Sequence, residues 1–451
     1  MNNKLYEHAN GSQAARFLFY FVFVYVALYI FPFPLDLVVS ILQRFFSWMN
    51  ELTGWAFLKS INSGIDAIFG WWTDLWHWLI PAAAKHIFHF KNPITIFPGG
   101  SGDTTFNWVE TMVKMELAVA GATIWQLAGK KKDYTRLHHF LLMMMRYFLA
   151  YMMISYGFIK IIQTQFPYPG LGRLVQPYGE SSPMGLAWTF MGYSTGYNFF
   201  TGSCEVLGGF LLCFRRTQTF GALFSMTVCV NIFAMNMCFD IPVKLFSAHL
   251  VFFATYIAAG DVSRLFTFFF TNKPASTREN TFYFANSNRR QQWTWLKWIV
   301  LLFILYTNYA DTKKGYYEYG MGKPKQPLYG IYNAEYKIVN NDTIPLIYKD
   351  TTNWKQLILS SKGYARVKLL NDSLRWYVFN VDTLKHSIGL YPEEDTVAKY
   401  QMSYTVNKDL LTIAGRMKTD SVVMQFRRYD ETKFLLNSRG FHWVNEDPYN
   451  K

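Results

Sequence analysis

Two charges interrupt the apolar run MMMRYFLAYMMISYGFIKIIQ, Arg146 and Lys160. Inside a bilayer a central charge costs about 2.5–3.5 kcal/mol on insertion scales, so each must snorkel, find a partner or line a cavity. The two are fourteen residues apart, about 21 Å along a helix and within roughly 40° of one face. Lys160, beside QTQFPYPG, is placed to snorkel. Arg146 is deeper, and Glu205 in YNFFTGSCEVLGGFLLCF reaches a similar level from the opposite direction, so a buried Arg146–Glu205 pair is expected. Glu110 and Lys114 are spaced i, i+4 in the favourable order and can satisfy each other. Glu116 points about 160° away from Lys114 and needs another partner. Asn231, Asn236 and His249 add polar atoms to two further apolar segments, and Asp240, Pro242 and Lys244 read as a helix start with an Asp cap.

A second kind of chemistry is offered by NPITIFPGGSGDTTFNWVE, where Gly99, Gly100, Ser101, Gly102 and Asp103 form a glycine-rich turn before a helix. Backbone N–H groups of such a turn can hold an anion. The stretch has neither a Walker lysine nor dinucleotide spacing, and a cap by Asp103 or Thr104 is the simpler reading. His77, His86 and His89 lie nearby, the last two at i, i+3, but no carboxylate or Cys stands at matching spacing and no metal is expected. Cys204, Cys213, Cys229 and Cys238 all fall in apolar segments with no C-x-x-C motif. Cys204 and Cys238 are near the same end of their segments, where pairing is geometrically open, and a small buried hydrophobe is the ordinary role.

The elements that must hold these groups are those of a membrane protein. Hydrophobic residues make up 51% of the 451-residue chain, aromatics 19% and charged residues 16%. Seven segments, roughly 16–33, 106–129, 140–162, 197–214, 218–239, 243–260 and 293–310, are long enough to cross a hydrocarbon layer of about 30 Å. The first lacks a cleavage site and reads as a retained anchor. Lys and Arg collect at 1–16, 130–136, 215–216 and 264–290, which predicts a cytoplasmic N-terminal tail (1–15), a cytoplasmic loop at 261–292 and an external C-terminus. The net charge of +14 is then largely topology and calls for no nucleic acid. Loop 34–105 carries Trp48, Trp55, Trp71, Trp72, Trp76 and Trp78 and reads as amphipathic helices on the external, periplasmic surface.

At residue 311 the character changes. Residues 311–328, rich in Gly, Pro and Lys, read as a tether, and 329–451 as short β runs such as LRWYVFNVD, YQMSYTVN, LLTIAGRMK and VVMQFRRYD. Polar turns about ten residues apart predict an antiparallel all-β sandwich or barrel. It holds no nucleophile–base pair or metal cluster and reads as an external binding or docking module. Arg439 and His442 in SRGFHWVN read as surface or strand-end residues, and folding back over the mouth of the helical core to complete a site is the alternative.

The run with Arg146, Gly157 and Lys160, followed by GSCEVLGGFLLCFRRTQTFGALF with Glu205, Gly208, Gly209 and Arg215, resembles the four-helix core of the DoxX family over about residues 140–260. Family members include subunits of quinone-linked oxidoreductases. Residues 16–139 and the β domain extend beyond the family unit, and this elaborated form resembles uncharacterised Bacteroidota members. The resemblance implies an inner-membrane subunit of a larger envelope complex, with a quinone-sized cleft near Arg146, Glu205 and Glu116. The sequence itself shows buried ionisable groups and no haem, flavin, iron–sulfur or nucleotide motif. Two alternatives stand beside that reading: a non-catalytic scaffold that docks membrane or periplasmic partners through its β domain, and a transporter of a small or lipidic anion.

Overall fold

A computed structural model describes residues 12–55, 57–97, 102–128, 134–271, 273–275, 287–346, 353–395 and 399–450. The chain divides into two compact units. One comprises residues 1–162 and 199–312, the other residues 163–198 and 313–451.

The first unit is helical, with α1 (Gln13–Ile30), α2 (Leu35–Thr53), α3 (Phe57–His86), α4 (Thr105–Leu127) and α5 (Tyr134–Ile161). Residues 163–198 of the second unit supply a short α6 (Leu171–Leu174) and α7 (Pro183–Tyr193). There follow α8 (Thr195–Leu212), α9 (Gln218–Cys238), α10 (Lys244–Ala259), α11 (Val262–Phe270) and α12 (Ser287–Glu318). Among the described residues, three helical segments are long and apolar enough to cross a membrane, or four if the bent pair α10–α11 is one span; the three are Gln13–Thr53, Arg136–Ile161 and Gln218–Cys238. Of the other expected spans, α4 carries Glu110, Lys114 and Glu116, whereas α8 and α12 are rich in Tyr, Trp, Asn and Gly, which dilute their apolar character. Even so, Trp108, Met112 and Ile124 on α4, Phe199 and Phe200 on α8, and Ile299 and Leu302 on α12 are all exposed. Outward apolar faces of this extent are rare on soluble monomers.

The core of this unit is built around α5, where Met145, Leu149 and Met153 recur every four residues and are fully covered. Glycine sets how closely α8 approaches. A Cβ at Gly157 would lie 2.7 Å from the Gly202 carbonyl oxygen, and one at Gly209 would lie 2.7 Å from that of Ala150, so the two backbones touch where a side chain would part them. Helix α2 buries nothing, and its exposed Leu35, Val38, Leu42, Phe45, Trp48 and Leu52 follow helical spacing along one face, as an interfacial helix requires.

The second unit is an eight-stranded antiparallel barrel. Strands β1 (Gly330–Val339), β3 (Trp354–Ser361), β4 (Gly363–Leu369), β5 (Leu374–Asp382), β6 (Ser387–Pro392), β7 (Tyr400–Asn407), β8 (Leu410–Met417) and β9 (Asp420–Tyr429) pair in order, and β9 closes on β1. The short β2 (Asp342–Ile344) is a flap on β1 behind a turn in which Asn340 and Asn341 both take positive φ, the geometry of a tight hairpin. Alternation fills the barrel with Leu357, Val367, Phe379, Leu390, Ile413 and Phe426. Closure removes the open sheet edges. The expected tether is shorter than its sequence suggested, because α12 remains helical to Glu318. A last short helix, α13 (Leu435–Ser438), follows the barrel.

A candidate ligand cavity and the buried charges

The buried charges do not pair as their spacing suggested. Glu205 is met by Lys160, with Nζ 2.5 Å from Oε1 and both side chains almost fully buried. Lys160 therefore does not snorkel. The glycine contact explains why: Gly157 and Gly202 each precede a member of the pair by three residues, so the closest backbone approach sits directly beneath it. Oε2 of Glu205 is buried without a hydrogen-bond partner, and the Lys160 ammonium lies 6.0 Å from the Tyr156 ring centroid.

Arg146 is met instead by a neutral group. Its Nη1 donates to Oε1 of Gln218 at 2.7 Å, the guanidinium stacks over Tyr147 at 4.7 Å, and Nε is buried without a hydrogen-bond partner. Gln218 went unnoticed in the sequence because an amide at a helix start reads as ordinary polar punctuation.

The remaining candidates are satisfied locally. Glu110 and Lys114 form the expected pair at 2.9 Å, and Lys114 also lies over Trp76 at 4.9 Å. Glu116 stands on the exposed side of α4. His249 contacts the Leu245 carbonyl through Nδ1 and Tyr25 through Nε2, each at 2.6 Å, and stacks on Tyr29. With Nδ1–H donating to the carbonyl, Nε2 is the acceptor for the tyrosine hydroxyl, which makes this a structural imidazole. Asp240 does not cap α10; it pairs with Lys244 at 2.9 Å. The cap comes from Asp103, whose two carboxylate oxygens accept from the Lys244 and Leu245 N–H groups at 2.6 and 2.8 Å. Asp103 thus delivers a carboxylate to the start of α10. Gly99, Gly100 and Ser101 lie outside the described residues, as do Lys130, Lys131, Lys132 and Arg278 of the expected cytoplasmic loops, and Gly102 and Asp103 are the members of the turn that can be placed. His77 packs edge-on against Phe106. The four cysteines are free thiols. Arg439 stacks over Tyr449 and donates to Asn445 within the C-terminal segment, where His442 is exposed.

A cavity of about 680 Å³ opens in the helical unit beside Arg146. Its volume lies within the range typical of small-molecule sites. Along α5 the wall passes from His139 and Arg146 to Ala150, Tyr151 and Ile154; along α12 it passes from Arg290 and Lys297 to Val300, Leu301 and Ile304. From His139 to Ile154 a helix rises about 22 Å. Phe33, Pro34 and Leu37 from the α1–α2 corner, Cys213, Arg215 and Gln218, and Ile257 of α10 also line it. Lys297 is within electrostatic reach of both Arg146 and Arg215 and packs 4.3 Å over the Phe214 ring. Among the described residues no carboxylate lines this cavity. Glu205 and Glu116, expected on the wall of a quinone-sized cleft, are not on it, because the glycine-tight contact turns Glu205 towards Lys160 and Glu116 faces outward.

Among known proteins, YwoB of Bacillus subtilis is 35% identical to this chain over 136 residues, which are 84% of YwoB and 30% of the present chain. The chain belongs to the YwoB family. YwoB is itself an uncharacterized protein, and the larger part of the present chain lies outside the match. No family model matches the sequence, and no solved structure matches the fold.

Proposed function

We propose that the helical unit is a seven-span, DoxX-like domain of a bacterial inner membrane whose cavity binds an amphiphile, an acyl or similar chain carrying an anionic head. The reading rests on Arg146: a guanidinium 7% exposed, held by a neutral amide, on the wall of an apolar cavity that it shares with Arg215, Arg290 and Lys297. A buried charge without a counter-charge costs several kcal/mol, and Lys297 within electrostatic reach adds repulsion, so an anionic head is the occupant that best suits Arg146. The apolar half of the wall offers nothing to a small hydrated anion and suits a chain. This favours the lipidic-anion alternative over a proton-exchanging quinone, which would need carboxylates at the cavity. In this reading the barrel faces the periplasm, where it docks the partners of an envelope complex.

Native mass spectrometry of the full chain, purified in mild detergent with its retained lipids, tests the proposal. An acidic amphiphile should be retained in preference to neutral lipid, and Arg146→Gln should lower its occupancy about tenfold, the loss expected for one charge-assisted contact. Equal retention of neutral and acidic lipids, unchanged in a folded Arg146→Gln protein, overturns it.

A further inference from the structure

The barrel unit carries a pair of arginines, Arg173 and Arg366, that is independent of the cavity. Residues 163–198 pack against the outside of the barrel. Leu357 and Leu359 of β3 point into the barrel core, so Ile358 between them points out, and it is only 1% exposed because Leu171 covers it together with Ile331. A hydrogen bond of 2.7 Å from the Tyr168 hydroxyl to Asn437 pins the same segment. Strand register places Arg366 directly opposite Ile358 on one side and Trp376 on the other, all on the outer face. The Arg366 guanidinium lies over the Trp376 ring at 4.3 Å and reaches the segment at Gly172, where a Cβ would stand 2.2 Å from Nη1. The next residue is Arg173. Its guanidinium rests over Gly185, where a Cβ would stand 2.7 Å from Nη2, and Nη1 donates to Gln176 at 2.6 Å.

Each arginine is thus placed against a glycine that leaves it room, and the two repel each other: burial and the Arg173 charge both disfavour the charged form of Arg366. Among the described residues neither forms an ion pair, and Nε of Arg366 is buried without a hydrogen-bond partner. Two half-buried guanidiniums within electrostatic reach of each other offer the donors that a tetrahedral oxyanion requires. We propose that Arg173 and Arg366, backed by Trp376, form a binding site for a phosphoryl group on the barrel unit.

The phosphoryl group can be free phosphate or the head of a lipid, and the test separates the two. Full-length protein in detergent is titrated with radiolabelled inorganic phosphate by equilibrium dialysis, and separately floated with phosphatidylcholine vesicles with or without phosphatidate. Each assay is repeated with Arg366→Gln, Arg173→Gln and Arg366→Lys, proteins first shown to melt like the parent chain. Arg366 and Arg173 do not line the helical cavity, so its contribution is equal in every arm and the difference reports the arginine pair. Saturable phosphate binding weakened at least tenfold by either Gln variant, with partial retention in Arg366→Lys, identifies a free oxyanion. Loss confined to phosphatidate-dependent flotation identifies a lipid head. Absence of both activities in the parent chain, or binding that neither Gln substitution changes, overturns the site.

Discussion

At the scale of single residues, the depth of a charge in the sequence was legible but its partner was not. Arg146, Lys160 and Glu205 stand out because their segments carry no other charged residue. Which two meet depends on how α5 and α8 rotate against each other, and that is set by Gly157, Gly202 and Gly209. The Lys160–Glu205 pair makes a direct prediction. Lys160→Met alone should destabilise the helical unit by about 3–5 kcal/mol, while Lys160→Met with Glu205→Leu should recover most of the loss, since a lone buried charge is worse than none. Thermal melting of the four proteins of this cycle in detergent measures it, and strict additivity would mean that the two residues do not interact. Arg146→Gln and Glu205→Gln, by contrast, should be additive. In the barrel, hydrogen bonds from Lys355 and then Lys368 hold the Asp372 carboxyl below its ordinary pKa. The stabilisation is complete above the unfolded carboxyl value of about 3.9 and fades as pH falls through the lower folded value. Acid melts of the barrel in parent and Asp372→Asn protein should therefore converge below that range and separate above it, by a small margin because the group is exposed.

At the scale of elements, the barrel strands were the most readable part of the chain. The runs beginning at Leu374 and Tyr400 coincide with β5 and β7, because alternation and polar turns are local signals. That the strands close, through β9 on β1, is a long-range pairing no local pattern contains. In the segment 163–198 the docking residue Leu171 gives no periodic signal, because its helix is four residues long. Helix caps show the same limit. Thr104 caps its own helix as read, whereas Asp103 caps a helix that begins 141 residues later. Replacing Asp103 by Ala should cost about 1 kcal/mol in melting of the helical unit, while Asp240→Ala, which removes only a pair with an exposed carboxylate, should cost less. Gly202→Val tests the helix contact: overpacking against the Gly157 carbonyl should cost about 1–3 kcal/mol, and a melt unchanged from the parent chain would rule out the close approach of α5 and α8.

For the whole molecule, helices with outward apolar faces and a closed barrel give two units whose sites carry different chemistry. If the barrel is periplasmic, Cys introduced at exposed Ser373 should react with an impermeant maleimide in intact cells beyond the background of the parent chain; labelling that requires lysis would invert the topology. A chain ending at Thr312 removes the surface that covers Leu171, so trypsin should cut at Arg173 faster than in the full chain while the cavity, which lies wholly within the helical unit, keeps its ligand. The cavity itself was foreshadowed only by Arg146 and Arg215; that Lys297 joins them depends on where α12 docks. The most direct measurement of its role is photo-crosslinking of the full-length protein with an acidic amphiphile that carries a diazirine near the end of its chain, followed by peptide mapping. The account predicts adducts at Ala150–Ile154 and Val300–Ile304, abolished by excess unlabelled acidic amphiphile and weakened in Arg146→Gln. Adducts spread over the outward residues of α4, such as Met112 and Ile124, with none in the cavity wall, would contradict it.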